Sequence, residues 1–189
     1  MKLVETKIYS QLIIVTDYVL LGLFWIVASL PLITIVPASV ATLYVLRQWR
    51  SDSTGQLLIH FSQGLKKYFY VNVLISILTI SIYFTTNLLL QENSKALIVS
   101  GYVVSIIYLM FLISWADNCR KNEKLTFFVL FERSSFDVIL SFGKNLLCSM
   151  LIFGFSILIF LFPPFIFVFA GAIWKLLDLI LSRKSRGSD

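Results

Sequence analysis

The amino-acid sequence predicts an all-α fold, a polytopic bundle of about five transmembrane helices. Of the 189 residues, 58% are hydrophobic and only 14% are charged, whereas soluble domains are roughly half apolar and about a quarter charged. A soluble protein of this length cannot bury so much apolar surface in one core. The charges are also clustered, and four long stretches between the clusters carry none. This pattern is typical of a chain solvated by a bilayer, so residues 1–189 are predicted to form a single integral membrane domain.

The first uncharged stretch, residues 18–46, is too long for one plain helix and contains Pro31 and Pro37. Proline removes a backbone donor, and the residue before it disfavours the helical conformation. We therefore expect a helix over about residues 12–30, a broken segment, and a short helix over about residues 38–49. Broken backbone in hydrocarbon must be covered by protein or water, so the broken segment should pack against other helices.

The second and third uncharged stretches, residues 68–91 and 96–116, each have the length of one membrane crossing. A crossing takes about 20 apolar residues. Only the short segment 92–95 separates the two stretches. The sequence therefore predicts a transmembrane helical hairpin here.

The last uncharged stretch is divided nearly in half by Pro163 and Pro164. Two adjacent prolines do not both fit a helix interior, which favours two spans, and a single kinked helix is the alternative. The predicted set of spans is then about residues 12–36, 68–91, 96–116, 145–162 and 165–181.

The distribution of lysine and arginine predicts the orientation. With five spans, twelve of these residues fall on one side, in the loops 47–67 and 117–144 and in the C-terminal tail, against three on the other side: Lys2, Lys7 and Lys95. Cytoplasmic loops carry the excess of lysine and arginine, so these loops and the C-terminus are predicted to be cytoplasmic. The N-terminus then lies outside, or inside if the first stretch forms a hairpin with a half-helix return.

Two segments of the cytoplasmic side mix aromatic, basic and polar residues, namely residues 61–69 and 127–140. Such a composition next to a span favours amphipathic helices that lie in the plane of the membrane interface. The lipid bilayer is the partner that these segments imply.

Polar residues inside spans are the candidates for function. Asp17 lies near the start of the first helix, where a solvated position at the interface is favoured over a buried ion site. Lys175 and Asp178 are three residues apart, so they share a helix face and can pair. The two cysteines, Cys119 in a basic loop and Cys148 in a span, are expected at different depths and therefore without a disulfide.

The residues needed for catalysis or for a cofactor are missing from the sequence. His60, the single histidine, is predicted in a loop, without a serine or cysteine partner, and no metal-ligand cluster or glycine-rich phosphate loop is present. The net charge of +6 comes from residues that flank the spans, so nucleic-acid binding is not expected. We predict a protein that is not an enzyme and has no cofactor.

The stretch from Leu23 to Arg47, LFWIVASLPLITIVPASVATLYVLR, resembles the signature of the YesL family of small bacterial membrane proteins of unknown function. An aromatic helix is followed by Pro31, Thr34, Pro37 and Ala38 at fixed spacing and by a basic end. The lead-in over residues 61–69 and residues 125–134 are similar to the family as well. Gly22, where the family favours asparagine, and Val36, where glycine is common, depart from the pattern.

The resemblance implies about five spans, a bacterial plasma membrane and an accessory role in carbohydrate uptake by an ABC transporter, with transporter subunits bound through the cytoplasmic loops. The alternative is a small-molecule carrier or a substrate-binding membrane subunit of a transporter, with a polar cavity lined by the segment between Pro31 and Pro37. The sequence leaves the ligand, the partner and the oligomeric state open.

Overall fold

The computed structural model describes residues 2–51, 55–92, 94–121 and 126–182. Asn93, Lys124, Leu125 and the tail from Arg183 onward, to which some predictions above refer, lie outside the described residues. The described helices, in chain order, are α1 (Lys2–Ser29), α2 (Ile35–Ser51), α3 (Leu57–Lys66), α4 (Phe69–Gln91), α5 (Lys95–Lys121), α6 (Phe127–Leu140), α7 (Phe142–Leu161) and α8 (Phe165–Ser182). The predicted all-α bundle is confirmed.

The helices α1 and α2 form an antiparallel hairpin. The Trp25 indole donates to Ser39 Oγ at 3.2 Å, and nearer the chain's N-terminus the rings of Tyr18 and Trp49 lie 5.5 Å apart. A single turn of 3₁₀ helix, Leu32–Thr34, joins the two helices. The beginning of α1 therefore lies at the same end of the bundle as the end of α2, which is the hairpin alternative left open by the sequence.

The predicted starts of both helices of this hairpin were wrong, whereas the end of α1 before Pro31 was predicted to within one residue. The helix α2 begins at Ile35 instead of residue 38, because Pro37 occupies the first helical turn, where a missing backbone N–H breaks no helical hydrogen bond. The helix α1 ends at Ser29 and begins at Lys2, ten residues before the predicted start. The length of an uncharged stretch does not show where a helix begins, because a membrane helix can extend beyond the hydrocarbon region.

Two further hairpins complete the bundle. In α4 and α5 the hydroxyls of Thr79 and Tyr108 bond at 2.9 Å, as the predicted hairpin requires. Residues 145–181 form two helices, α7 and α8, which pack against each other. The turn at Pro163 and Pro164 between them has the rings of Phe162 and Phe165 only 4.8 Å apart.

Short helices connect the hairpins at one end of the bundle. The helix α3 precedes the α4–α5 hairpin and α6 precedes the α7–α8 hairpin. We call this the basic end, because it carries most of the described cationic residues: Arg47, Arg50, Lys66, Lys67, Arg120, Lys121, Arg133 and Lys144. The opposite end, with the hairpin turns, is the turn end.

Five described segments are long and apolar enough to cross a membrane: Gln11–Ser29, Leu32–Arg50, Phe69–Gln91, Lys95–Lys121 and Phe142–Leu161. This set includes α2, which was predicted to be a short helix outside the spans. It does not include α8, so the predicted crossing by residues 165–181 stays a prediction. Large apolar side chains such as Phe160 and Leu88 face away from the protein, which suits a hydrocarbon surrounding.

Helix α1 packs tightly against α8 through glycines. A Cβ atom at Gly171 would lie 1.8 Å from the carbonyl oxygen of Tyr18, and one at Gly22 would lie 2.5 Å from the backbone nitrogen of Gly171. Small residues allow such close approach of membrane helices, whose association has little hydrophobic driving force. The contact positions α8, and with it Asp178, against the centre of the bundle.

Candidate functional site

Buried polar side chains are concentrated near the basic end. Those with less than a tenth of their surface exposed there are Asn72, Ser114, Asp117, Asn118, Arg120, Ser134, Asn145 and Asp178. A charge buried in a medium of low polarity is costly unless it is paired and hydrogen-bonded. The partners of these groups therefore define the site.

Arg120 of α5 is the centre of the buried charges, with only 3% of its side chain exposed. Its Nε donates to Asp117 Oδ1 at 2.6 Å, and its Nη1 donates to Asp178 Oδ1. Asp117 lies three residues earlier on the same helix, where helical spacing brings the two side chains together. Asp178 comes from α8, so the guanidinium joins two helices that are distant in the sequence.

Two more cations surround these three residues. Arg50, in the last turn of α2, donates from Nε to Asp178 Oδ2 at 2.8 Å and from Nη2 to the Asp178 carbonyl oxygen at 2.7 Å. Lys121 pairs with Asp117. We call these five residues the ionic network. Its three cations face two carboxylates, and about half of the Arg50 and Lys121 side chains is exposed, so a net positive charge lies at the surface.

Helix α6 is held against the bundle by neutral and charged hydrogen bonds. Asn118 Nδ2 donates to Asp137 Oδ2 at 2.7 Å, and Asn145 Nδ2 of α7 donates to the Asp137 carbonyl oxygen at 3.1 Å. Ser114 Oγ donates to the carbonyl oxygen of Ser134 at 3.0 Å. These bonds fix α6 beside the ionic network, across the end of α5.

The start of α4 is fixed by a buried tryptophan. Trp115 is fully buried, and its Nε1 donates to Asn72 Oδ1 at 2.9 Å. The thiol of Cys119 lies 3.7 Å from the same oxygen. Cys119 was predicted in a loop, but it belongs to α5 and is buried. Cys119 and Cys148 are both free, which confirms that no disulfide joins them.

An apolar cavity of about 290 Å³ lies between six of the described helices, α1, α2, α4, α5, α7 and α8. We call it the central cavity. Most of its wall is aliphatic or aromatic, and its hydroxyl groups come from Ser39, Thr79 and Ser156. At the basic end it reaches Ala116, Leu177 and Leu181, which are sequence neighbours of the ionic network on α5 and α8.

The structure places the three predicted intramembrane polar residues in different surroundings. Asp178 is buried in the ionic network. Lys175 is exposed, and its Nζ lies 4.2 Å from the centre of the Tyr18 ring, so the expected Lys175–Asp178 pair is replaced by two arginines on Asp178. Asp17 is half-buried on α1.

The predicted structural motif forms the connection between α1 and α2. Pro31 precedes the 3₁₀ turn in an extended conformation. Thr34 Oγ1 bonds to the carbonyl oxygens of Ala28 and Pro31, at 2.5 and 2.7 Å, which satisfies backbone acceptors left free by the break in the helix. Pro37 and Ala38 are buried in the first turn of α2.

The predictions missed Asp117, Asn118 and Arg120 as parts of a site, because they assigned residues 117–144 to a loop. The signal was present, since Asp117, Arg120 and Lys121 have the spacing of one helix face and no proline or glycine interrupts the chain from Ala116 to Lys121. His60, also assigned to a loop, is a half-buried residue of α3.

Comparison with known proteins relates the first part of the chain to a family. Residues 18–88 match the family described as protein of unknown function, DUF624. The match contains the segment from Leu23 to Arg47 and the lead-in over residues 61–69, which resemble the YesL family, and ends within α4. It does not include residues 125–134. Of the ionic network it includes Arg50 and leaves out the residues of α5 and α8. No curated protein and no solved structure matches the chain.

Proposed function

We propose that the protein is a non-enzymatic accessory protein of the bacterial plasma membrane that belongs to the YesL family and assists carbohydrate uptake by an ABC transporter. The observation that carries this proposal is the outer face of α6 at the basic end. Phe128, Ile139 and Leu140 each have at least three quarters of their surface exposed. A helix that is hydrogen-bonded to the bundle and has an exposed apolar face is suited to contact another membrane protein.

The charge around this face suits an acidic partner surface. Lys66, Lys121 and Arg133 are exposed at the basic end, and the ionic network adds a net positive charge. Glu132 is the one exposed carboxylate among the described residues of α6. Complementary charge speeds association and fixes orientation more than it adds affinity, so the aromatic face would supply most of the contact energy.

The link with carbohydrate transport is supported by the YesL resemblance and by the family match over residues 18–88. The test is affinity purification of the tagged, full-length protein from native membranes in a mild detergent. We expect the permease subunits of a carbohydrate ABC transporter in the eluate, identified by mass spectrometry. Recovery of the protein without any transporter subunit would contradict the proposal.

A pair of matched variants separates docking from general damage. Phe128→Ala shortens a side chain of the α6 face, whereas Phe160→Ala shortens an equally exposed phenylalanine of α7 near the turn end. We expect the first variant to recover several-fold less transporter and the second to recover the wild-type amount. Equal recovery by both variants would exclude the α6 face as the docking surface.

The central cavity favours a second candidate function, a small-molecule carrier or substrate-binding membrane subunit. Its volume lies at the lower limit of ordinary ligand pockets. Its wall is apolar, however, whereas the sequence-based hypothesis required a polar cavity between the helices. A carrier role is therefore proposed only for an apolar ligand, and a sugar, which needs many hydrogen bonds, does not fit such a wall.

The proposed orientation places the basic end in the cytoplasm, with both termini on that side. The excess of lysine and arginine supports this arrangement, and both termini share one side if α8 crosses the membrane in addition to the five segments that are long and apolar enough to do so. Cysteines introduced at Ser94 and at Ser141, in a background without Cys119 and Cys148, test it. In right-side-out cells, a membrane-impermeant maleimide should label the Ser94→Cys variant but not the Ser141→Cys variant. The reverse labelling would overturn the orientation.

A further inference from the structure

The hydroxyl groups in the wall of the central cavity are already hydrogen-bonded within the protein. Ser39 Oγ donates to the Ile35 carbonyl oxygen at 2.7 Å while accepting from Trp25. Thr79 bonds to Ile75 and Tyr108, and Ser156 Oγ donates to the Ile152 carbonyl oxygen at 2.9 Å. The wall therefore offers an occupant few unsatisfied polar partners.

Hydrocarbon is the occupant that this wall favours. An ordered water needs two to four polar partners, which the paired hydroxyls do not supply. An empty cavity of about 290 Å³ would leave the side chains around it without dispersion contacts. The volume corresponds to about ten groups of the size of a water molecule or a methylene, and lipid chains surround the bundle.

The cavity is long enough to hold part of an acyl chain. Its wall on α8 extends from Ala170 to Leu181, which at 1.5 Å per residue is about 16 Å. That is roughly half of the hydrocarbon thickness of about 30 Å. The wall also includes Ser156, an exposed residue in the half of α7 nearer the turn end, so the cavity is not sealed and a chain can enter from the side.

The end of the cavity at Leu181 lies one helical turn from Asp178, the α8 residue of the ionic network. The network carries one more cation than carboxylates, and the surplus is accessible at the half-exposed side chain of Arg50. A guanidinium with free donors beside a paired carboxylate can bind a phosphate oxygen. An anionic head group at this position would neutralise the surplus charge.

We infer that the central cavity binds one acyl chain of an anionic phospholipid from the leaflet at the basic end, with the phosphate against Arg50. The chain fills the apolar space between the helices, and the charged head group anchors it at the ionic network. The cavity itself takes no part in the proposed docking role of α6, although both proposals use the positive charge of the ionic network.

Photo-crosslinking tests the position of the chain. The full-length protein is reconstituted in nanodiscs of phosphatidylcholine that contain a small fraction of phosphatidylglycerol with a diazirine on one acyl chain. We expect labels on inward residues of the cavity wall, Leu112 and Leu177, that disappear when unlabelled phosphatidylglycerol is added in excess. Labels confined to outward residues such as Phe153, without saturation, would show ordinary bilayer contact and overturn the site.

A matched pair of substitutions tests the space itself. Ala116→Leu fills the cavity, and Ala96→Leu makes the same change on an exposed face of the same helix. Native mass spectrometry after detergent extraction should show retained phosphatidylglycerol on wild type and Ala96→Leu, and at least a five-fold loss on Ala116→Leu. Ser156→Leu, at the open side, should cause a similar loss if Ala116→Leu does not fold. Undiminished retention in a folded filled variant would overturn the inference.

The head group is tested by competition between lipids and by charge removal. We expect phosphatidylglycerol to be retained several-fold over phosphatidylcholine of the same chain length, and Arg50→Gln to reduce this preference while the cavity still accepts a chain. Equal retention of both lipids by the wild-type protein would overturn the assignment of the phosphate to Arg50.

Discussion

In the two halves of α5, the burial of apolar and charged side chains is the reverse of what hydropathy alone predicts for a protein in water. In the half near the turn end, residues 102–107 are all exposed and almost all apolar, whereas in the half near the basic end residues 113–120 are all buried and include Asp117, Asn118 and Arg120. In water the apolar half would be buried and the charged half would be exposed. The comparison indicates that lipid surrounds α5 near the turn end, whereas the other helices pack around its polar side chains near the basic end.

This difference shows where the specificity of the fold comes from. Lipid is as apolar as a leucine side chain, so exposed valines and isoleucines in the first half of α5 supply little force for association. Buried ionic groups at the other half need partners, because a buried charge that loses its partner is strongly destabilising. The relative positions of α2, α5 and α8 are therefore fixed by the ionic network together with the glycine contact between α1 and α8.

The largest expected effect is the loss of the Asp178 carboxylate. Asp178→Asn leaves the buried guanidinium of Arg120 with one carboxylate and removes the anionic partner of Arg50. Removing one partner from a buried ion pair costs about 3–5 kcal/mol. Thermal unfolding in detergent, followed by circular dichroism, should show a large fall in the midpoint or loss of the folded fraction.

Asp17→Asn is the matched control for this prediction, since it removes a half-buried carboxylate from α1 outside the ionic network. A change of less than about 1 kcal/mol is expected. An equal loss of stability in both variants would contradict the prediction that a carboxylate of the ionic network contributes more stability than one outside it.

A second, smaller effect tests the contact that brings α8 to the network. Gly171→Ala would place a Cβ 1.8 Å from the Tyr18 carbonyl oxygen, so α1 and α8 must separate, and overpacking of this kind costs about 1–3 kcal/mol. Gly154→Ala on α7 meets nothing within 4 Å and should be neutral or slightly stabilising, because alanine favours the helix. Similar melting of both variants would contradict the close packing.

Much of the fold was predictable because two of its determinants can be read from short stretches of the sequence. These are the length needed to cross a bilayer and the effect of proline on a helix. The hairpin of α4 and α5 and the break at Pro163 and Pro164 follow from the length of charge-free segments and from the missing proline donor. The start of α1 at Lys2 and the continuation of α5 to Lys121 were missed. A charged residue ends a hydrophobic stretch, but it does not end a helix.

The candidate site was harder to predict because its members come from three helices. Asp178 was singled out, but as a partner of Lys175, since only neighbours on one helix can be paired from spacing alone. Its actual partners, Arg50 and Arg120, lie 128 and 58 residues away in the sequence. A polar cavity beside the segment between Pro31 and Pro37 was one of the hypotheses, and the central cavity does contact Ile35 and Val36. Its apolar wall could not be predicted, because it depends on the relative positions of six helices.

A third prediction compares two interhelical hydrogen bonds between α4 and α5. Trp115→Phe removes the donor to Asn72 in the buried half, and Tyr108→Phe removes the hydroxyl that bonds Thr79, which keeps its bond to Ile75. Interhelical hydrogen bonds in membranes contribute about 0.6 kcal/mol on average and up to about 1.7. We expect a loss near the upper value for Trp115→Phe and a smaller one for Tyr108→Phe, measured by chemical denaturation in mixed micelles.

The smallest expected effect concerns the exposed edge of the ionic network. Lys121 pairs with Asp117, but 48% of its side chain is exposed, and ion pairs in contact with water contribute roughly 0–1 kcal/mol. Asp117 also keeps its bond to Arg120, so Lys121→Ala should lower stability by less than about 0.5 kcal/mol, with a difference that shrinks as salt is added. Lys95→Ala at the turn end is the matched control and should have no effect. A loss of stability comparable to that of Asp178→Asn would mean that Lys121 is as well shielded from water as the centre of the network. That result would contradict the decrease in burial along the last turns of α5.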